Sequence, residues 1–272
     1  MNFSIIIKKF IFYTLILLVI LVFIFPFIWM LFCSLKPLVS LLEMPPDFNS
    51  SFTLSNYQNV FYETDFFFRL FNSFLIAFFA VLVGLILGLP ASYALSRKKN
   101  KTVGIAILFI QMVPGISLLV PWFAMYRYLG ILDTYHGLIG SHLVLTIPLI
   151  VWILVGFFED IPVELEDAAR IDGCNKLQAL IKVIIPLSKP GIATASILSF
   201  ILSWNHFLFA LILSGPNTIG LPITVFEFIT YEEIDFGGMY AASVLITAPI
   251  IILVLCIQKQ FVGGLTIGGL KG

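Results

Sequence analysis

Charged residues fall in clumps along this chain, and the uncharged stretches between them outline its architecture. No Asp, Glu, Lys or Arg occurs in 10–35, 70–96, 102–126, 134–158, 190–226 or 236–258. Crossing the hydrocarbon of a bilayer takes about 20 apolar residues, so each stretch is long enough and six transmembrane helices are expected. Lone strands could not satisfy their backbone N–H and C=O groups in lipid, which makes helix the expected form. The expected spans are 10–33, 70–95, 103–126, 138–158, 190–213 and 238–258, with a polar segment, 162–186, between the fourth and fifth. Lys8 and Lys9 before the first span resemble the start of a signal peptide. The apolar run continues from Phe10 to about Cys33, however, and no small-x-small site closes it, so an uncleaved anchor is expected.

Composition agrees with this pattern. The chain is 60% hydrophobic and 11% charged, whereas soluble domains are about a quarter charged. The fold class is therefore an all-α integral membrane protein, read as a single domain over 1–272. Orientation follows from Lys and Arg. Twelve of them (Lys8, Lys9, Arg97, Lys98, Lys99, Lys101, Arg170, Lys176, Lys182, Lys189, Lys259 and Lys271) fall on one side of the six-span arrangement. Three (Lys36, Arg69 and Arg127) fall on the other. Both termini and the 162–186 segment are thus expected on the cytoplasmic side of the cytoplasmic membrane.

Several chemistries lose support. The formal net charge is zero, which gives no hint of nucleic-acid binding. Cys33, Cys174 and Cys256 are far apart with no C-x-x-C pair, so no metal site or disulfide framework is suggested. Cys33 and Cys256 are expected to be small buried hydrophobes. No expected span contains a carboxylate or a basic group, which ion-coupled carriers usually keep there. His142 and His206 are the imidazoles within spans, and packing is the simpler role for each. No H-E-x-x-H, no G-x-S-x-G and no paired acid–base set occurs, so no catalytic residues are assigned. The nearest approach to a phosphate-cradling loop is "GGLTIGGLKG", where Leu270 takes the place of the lysine. Uphill transport would therefore draw its energy from another subunit on the cytoplasmic side.

The loops and span interiors carry weaker signals. The long loop 34–69 ends in "SNYQNVFYETDFFFRLF", compatible with a short interfacial helix. The loop 214–237 carries Glu227, Glu232, Glu233 and Asp235, either a partner contact or a solvated loop. "SRKKNK" at 96–101 reads as a tight turn needing no function beyond topology. Pro90, Pro114, Pro121 and Pro148 fall within spans and fit a transport path or a kinked bundle. Gly84 and Gly88 form a G-x-x-x-G, a spacing that lets helices approach closely.

The segment "FEDIPVELEDAARIDGCNKLQALIKVIIPLSKPG" at 158–191 is the most informative. Asp160 is a candidate N-cap, and Pro162 suits a first helical turn. Glu164, Glu166 and Asp167 lie near that N-terminus, where the helix dipole favours acids. Leu165, Ala168, Ala169 and Asp172 fall on one narrow face of small residues. Gly173 stops the helix, as glycine does just past a C-terminus. Leu177, Leu180, Ile181 and Ile184 then recur at helical spacing, until Pro186 and Pro190 break the run. This predicts a short surface helix, a tight turn and an interfacial helix. The short helix either fits another protein's cleft or merely helps to position the fifth span.

These residues resemble the permease signature of binding-protein-dependent ABC transporters. That signature has Glu-Ala-Ala, three residues, Gly, nine residues, an aliphatic, one residue, then an aliphatic and Pro. Asp167, Ala168, Ala169, Gly173, Val183, Ile185 and Pro186 occupy its positions. Asp167 stands where Glu is usual, and Glu166 adjoins it. "NSFLIAF", "PASYALSR", "VPGISLLVPWFAMYRYLGILDTYHGLI", "SWNHFLFAL" and the ending "FVGGLTIGGLKG" are similar to the second permease of carbohydrate-uptake systems of the maltose type. His206 departs from the acid usual after Trp-Asn there.

The resemblance implies a mechanical role. Such a chain pairs with a second permease as a heterodimer around a path for a sugar or oligosaccharide. Two ATP-binding subunits dock below, and an external solute-binding protein delivers the substrate. ATP and Mg belong to the ATPase subunits, and no cofactor is expected in this chain. Glu166, Asp167, Ala168, Ala169, Gly173 and Pro186 would be the coupling residues. Trp122, Tyr126, Trp204, Asn205 and Phe207 are candidates for the sugar path, since rings and amides suit sugar faces and hydroxyls. Core packing is the competing role for each of them. The rivals are a permease for another solute, such as glycerol phosphate, and a membrane receptor or scaffold without an ATPase partner.

Overall fold

The computed structural model describes residues 3–43, 47, 49–98, 102, 104, 106, 107, 109, 113–230 and 234–269, with side chains from Ile7 to Cys256 among them. The helices are α1 (Phe3–Ser34), α2 (Leu38–Leu42), α3 (Ser55–Glu63), α4 (Phe66–Lys98), α5 (Gly115–Leu129), α6 (Tyr135–Glu159) and α7 (Val163–Ile171). After these come α8 (Lys176–Leu187), which contains a π-helical turn, and α9 (Lys189–Trp204). The last are α10 (Phe207–Leu213), α11 (Leu221–Glu227) and α12 (Phe236–Gly269). An isolated antiparallel bridge between Ile229 and Ile234 is the extended feature among the described residues.

Four helices are long and apolar enough to cross a membrane: α1, α4, α6 and α12. They cover the expected spans 10–33, 70–95, 138–158 and 238–258. The expected span 190–213 is not one helix. α9 ends at Trp204 and α10 begins at Phe207. The amide of Asn205 turns back to the Ile201 carbonyl (2.9 Å), and Nδ1 of His206 accepts from the Phe209 N–H (3.4 Å). Polar side chains competing for backbone groups end a helix that hydrophobicity alone would continue. α8 and α9, bent by 82° across their break, together make a fifth span candidate. Of the span expected at 103–126, the first half lies largely outside the described residues. Its second half is α5, entered through Pro114 with an extended ψ of 123°.

Contacts group the chain into two units, Met1–Phe66 with Thr224–Ala248, and Phe67–Ile223 with Pro249–Gly272. In the first, the most apolar window of α1 has no buried residue, as suits a helix bathed in lipid. The chain is tied after α1 by Asn56, whose amide donates to the carbonyls of Ser34 and Lys36, both at 2.8 Å. Lys36 is buried. Its ammonium donates to the Ser50 carbonyl (2.5 Å) and lies 5.1 and 4.7 Å from the Phe32 and Phe52 ring centroids. The short helix expected near the end of the 34–69 loop forms as α3. Glu232 and Glu233 of the acidic loop lie outside the described residues. Cys33 is buried as expected, but Cys256, which belongs to the second unit, is exposed. The tendency of cysteine to leave water does not require burial within protein when the neighbour is lipid.

In the second unit, α6 is the axis. Ile150, Leu154 and Phe158 on α6 cluster with Leu180, Ile184 and Ala195. A second cluster joins Ile76, Leu119, Tyr126, Leu138, Phe209 and Leu213. The G-x-x-x-G of α4 lies against α6. A methyl group on Gly84 would come within 2.9 Å of Ile150 Cδ1, and one on Gly88 within 2.7 Å of Ile150 Cγ2. Glycine is required there by close approach, which is the packing role its spacing suggested.

Asp133 pins the Tyr135 end of α6. It sits at φ 53°, a left-handed conformation that Asp tolerates better than most residues. Its carboxylate accepts from the N–H groups of Gly215, Asn217 and Thr218, from the Asn217 amide and from the Thr218 hydroxyl, at 2.7–3.1 Å. Asn72 and Ser73 hold the next turn. The Asn72 amide donates to the Ile219 carbonyl (2.9 Å) and the Ser73 hydroxyl accepts from Leu221 N–H (2.8 Å). Burial alone would raise the Asp133 pKa, but the hydrogen bonds from Thr218, Asn217 and Gly215 prevail and hold it below the ordinary 3.8.

A carboxylate whose folded pKa is depressed stabilises the fold above its unfolded pKa, and that contribution is lost as pH falls through the lower folded value. Stability supplied by this latch should therefore be constant from pH 7 to about 5 and decline below about 4. Asp133→Asn should lower stability by about 2 kcal/mol at pH 7, as expected for lost charge-assisted hydrogen bonds, and flatten that acid-side decline. Thermal unfolding of the two proteins in detergent at pH 7 and at pH 3 checks this; equal acid sensitivity would contradict it.

Candidate functional site

The signature segment folds as a short helix set between α6 and α8. Asp160 is the C-cap residue of α6, not the N-cap of α7. Pro162, with ψ 135°, takes the N-cap position instead and has no side-chain capping bond. This correction has a simple cause: α6 runs to Glu159, so Asp160 is already occupied in ending it. Glu164 and Glu166 lie in the first turn and Arg170 in the last, each favoured by the dipole. At the far end Gly173 has φ 90°. Its N–H donates to the Arg170 carbonyl (3.1 Å), and the Cys174 N–H donates to the Ala169 carbonyl (3.0 Å). This paired closure satisfies carbonyls that a helix end would otherwise orphan, and it needs a left-handed residue at Gly173.

A capping box restarts the chain. Asn175 Oδ1 accepts from Gln178 N–H, and Gln178 Oε1 accepts from Asn175 N–H, both at 2.9 Å. The second helix expected in the segment follows as α8, with Leu180 and Ile184 buried and Leu177 and Ile181 exposed. Pro186 lies inside its last turn rather than breaking it. The break falls at Ser188, just before α9, and Lys189 opens α9 with Pro190 in its first turn.

α7 has two distinct faces. Glu166 and Ala169 are its buried residues. Asp167 and Ala168 are exposed, as are Val163, Leu165 and Ile171, the last at 87%. The narrow small-residue face expected from Leu165, Ala168, Ala169 and Asp172 is therefore divided, with Ala169 inward and the others outward. Asp167 faces Arg170 at 3.9 Å in the open, a pair that contributes little by itself. Asp167, Arg170, Ile171, Cys174, Asn175 and Lys176 line a shallow depression of about 580 Å³.

Glu166 points the opposite way. Its Oε2 lies 2.8 Å from Arg97 Nε, and its Oε1 accepts a hydrogen bond from the Tyr93 hydroxyl. Arg97 Nη1 donates to the carbonyls of Phe158 (3.0 Å) and Ile161 (3.4 Å). Sequence reasoning missed Tyr93 and Arg97. "SRKKNK" looked like a topology-setting turn, yet Arg97 caps the end of α6 and binds the signature helix. The available signal was the i, i+4 pair Tyr93 and Arg97 at the end of a span, on the same side as the acid-rich segment.

The path candidates separate by burial. Tyr126 and Trp204 are buried. Trp122 stacks on Phe209 with centroids 5.1 Å apart and planes at 3°, and on Tyr126 at 5.6 Å. Trp122, Tyr126 and Phe209 thus pack together in one cluster of the second unit. Asn205 is exposed and Phe207 half-buried, at the break between α9 and α10. Beside that break the two imidazoles meet. His142 and His206 have centroids 5.6 Å apart, and His142 Nδ1 is 2.6 Å from the Ser203 hydroxyl. They pack with Phe209, as a structural role predicts. Among the described residues no group of three His, Cys, Asp or Glu side chains is placed to hold a metal.

Known proteins resemble this chain in sequence and fold. The chain is 38% identical to the sulfoquinovosyl glycerol transport system permease protein SmoH of Agrobacterium fabrum, over 91% of this chain and 89% of that one. It is also 38% identical to the trehalose transport system permease protein SugB of Mycobacterium tuberculosis, over 91% of this chain and 92% of the relative. A similar solved structure is that of a bacterial ABC transporter involved in the import of the acidic polysaccharide alginate. It superposes with a TM-score of 0.75 at 26% identity, over 96% of this chain and 99% of that one. Residues 80–266 match the family described as binding-protein-dependent transport system inner membrane component. With that match across most of its length and its several apolar spans, the chain belongs to this family of transporter permeases, a multi-pass protein of the cytoplasmic membrane.

Proposed function

We propose that this permease is one half of a heterodimer that imports a sugar or oligosaccharide, driven by two ATP-binding subunits docked on α7. The observation that carries the reading is the divided surface of α7. A helix of nine residues that buries Glu166 and Ala169 while leaving Leu165, Asp167, Ala168 and Ile171 open leaves an apolar strip uncovered. Exposed apolar groups beside a charged residue, on a short rigid helix, suit a cleft in another protein. Six spans, a single domain over 1–272 and both termini on the cytoplasmic side complete the arrangement. The Lys and Arg bias supports it. ATP and Mg reside on the partner subunits.

The substrate class rests on the relatives, whose names carry a sulfoquinovosyl glycerol and a disaccharide, and on the alginate importer. An external solute-binding protein delivers the sugar. Within this chain Asn205 and Phe207 offer an amide and a ring at the helix break. Trp122, Tyr126 and Trp204 are the further aromatic candidates for that path. The uncovered apolar flank of α1 contacts lipid. No nucleic acid is involved.

The test is a mild-detergent pull-down of the chain from its native membranes. A second permease and an ATPase should come with it, and a recovered binding protein can be screened against sugars. Recovery of the chain alone would favour a receptor or scaffold. Asp167→Lys reverses the one acid on the open face of α7 beside the depression. It should cut ATPase recovery about tenfold, a loss of about 1.4 kcal/mol in affinity, while the partner permease still co-purifies. Undiminished ATPase recovery would remove Asp167 from the contact.

A further inference from the structure

The proposed docking of ATPases on α7 raises a mechanical question that the signature does not answer: what makes the spans follow α7 when it moves? α7 is poorly rooted. Nine residues long, it buries Glu166 and Ala169 among its side chains. Ala169 offers a single methyl group. Glu166 offers a carboxylate that is 7% exposed and bonded at both oxygens.

The two oxygens reach the same helix, one turn apart. Oε2 pairs with Arg97 Nε at 2.8 Å, and Oε1 accepts from the Tyr93 hydroxyl. Arg97 in turn bonds the carbonyls of Phe158 and Ile161 at the end of α6. One guanidinium and one carboxylate thus join α4, α6 and α7. A buried, two-point, charge-assisted link of this kind is directional and stiff, unlike the exposed Asp167–Arg170 pair.

We propose that Glu166 is a positioning residue of the transport cycle, which carries the displacement of α7 to α4 and α6 through Arg97 and Tyr93. The adjacent acids divide the work. Asp167 faces the partner, and Glu166 faces the permease's own spans. This inference rests on the proposed function, since it needs an ATPase to move α7.

The test uses the whole transporter, purified through this chain and placed in lipid nanodiscs. Spin labels go on exposed positions of α4 and α7, through Lys98→Cys and Glu164→Cys, with Cys33, Cys174 and Cys256 changed to serine. In the parent protein the distance distribution should stay narrow with and without ATP and vanadate, because the two helices move as one body. With Glu166→Ala the distribution should stay narrow without nucleotide and widen about twofold with it, as α7 moves and α4 lags. Tyr93→Phe and Glu166→Gln, which preserve shape, should widen it less, and they decide the matter if Glu166→Ala does not assemble. An unchanged width with nucleotide in assembled variants overturns the proposal. Widening without nucleotide also overturns it, since that reports a loosened fold rather than lost transmission. Absence of a co-purified ATPase from the parent protein instead defeats the proposed function itself.

Discussion

Gly173→Val should leave the chain inserted and paired with its second permease but reduce recovery of the ATPase by more than tenfold. The reason is conformational. A Cβ at Gly173 would meet nothing within 4 Å, so no clash opposes the substitution. The cost lies in φ, which is 90°. A β-branched residue is a genuine outlier in that region, and each left-handed L-residue costs about 1–2 kcal/mol. Relief comes by rotating the turn, which breaks the bonds from Gly173 and Cys174 to Arg170 and Ala169. α7 then loses its end, and the depression formed by Ile171, Cys174 and Lys176 loses its shape. Gly173→Asn, which tolerates the left-handed region, should retain most of the recovery. A co-purification series of the two variants against the parent checks the order. Equal losses for Val and Asn would show that side-chain bulk, not backbone conformation, is what the partner senses.

Gly88→Leu should destabilise the permease by about 3 kcal/mol, near the upper end for overpacking. Here the argument is steric. A Cβ at Gly88 would stand 2.7 Å from Ile150 Cγ2, and Ile150 is fully buried. Ile150 has little room to retreat, because it packs in the buried cluster with Leu154, Leu180, Ile184 and Ala195. α4 would have to move off α6, disturbing the route by which Arg97 reaches Phe158. Gly156→Leu is the control, since that glycine has open space around its Cα. Thermal stability in detergent should fall for the first variant and hold for the second. Similar stability for both would mean that α4 and α6 separate readily.

Much of α7 could be read from local chemistry. Gly173 announced a helix stop, and glycine-terminated helices close through short-range bonds that need no distant partner. Gly84 and Gly88 announced a close helix contact, though not its partner Ile150. The two adjacent acids were ambiguous, because residues one apart on a helix point about 100° apart and either can be the inward one. Their sorting depended on Arg97 and Tyr93, some seventy positions away in sequence. The aromatic path candidates were ambiguous for a related reason. Trp122, Tyr126 and Trp204 suit a sugar platform and a core alike, and only the structure shows that Trp122 stacks on Tyr126 and Phe209, and Trp204 on Phe200.

The sequence by itself determined the membrane class, the family and the two-helix form of the 162–186 segment. These rest on terms that act locally or add up along the chain: the transfer of apolar side chains into lipid, charge placed on one side, and the backbone freedom of glycine. Only the tertiary structure decided that the expected fifth span breaks at Asn205 and His206, that Asp133 latches a loop more than eighty residues on, and that Glu166 turns inward while Asp167 stays open. The break comes from side chains that compete with the helix's own backbone bonds, and the other two depend on a polar group finding a distant partner. Hydropathy and periodicity carry no information about which partner a fold will bring within 3 Å.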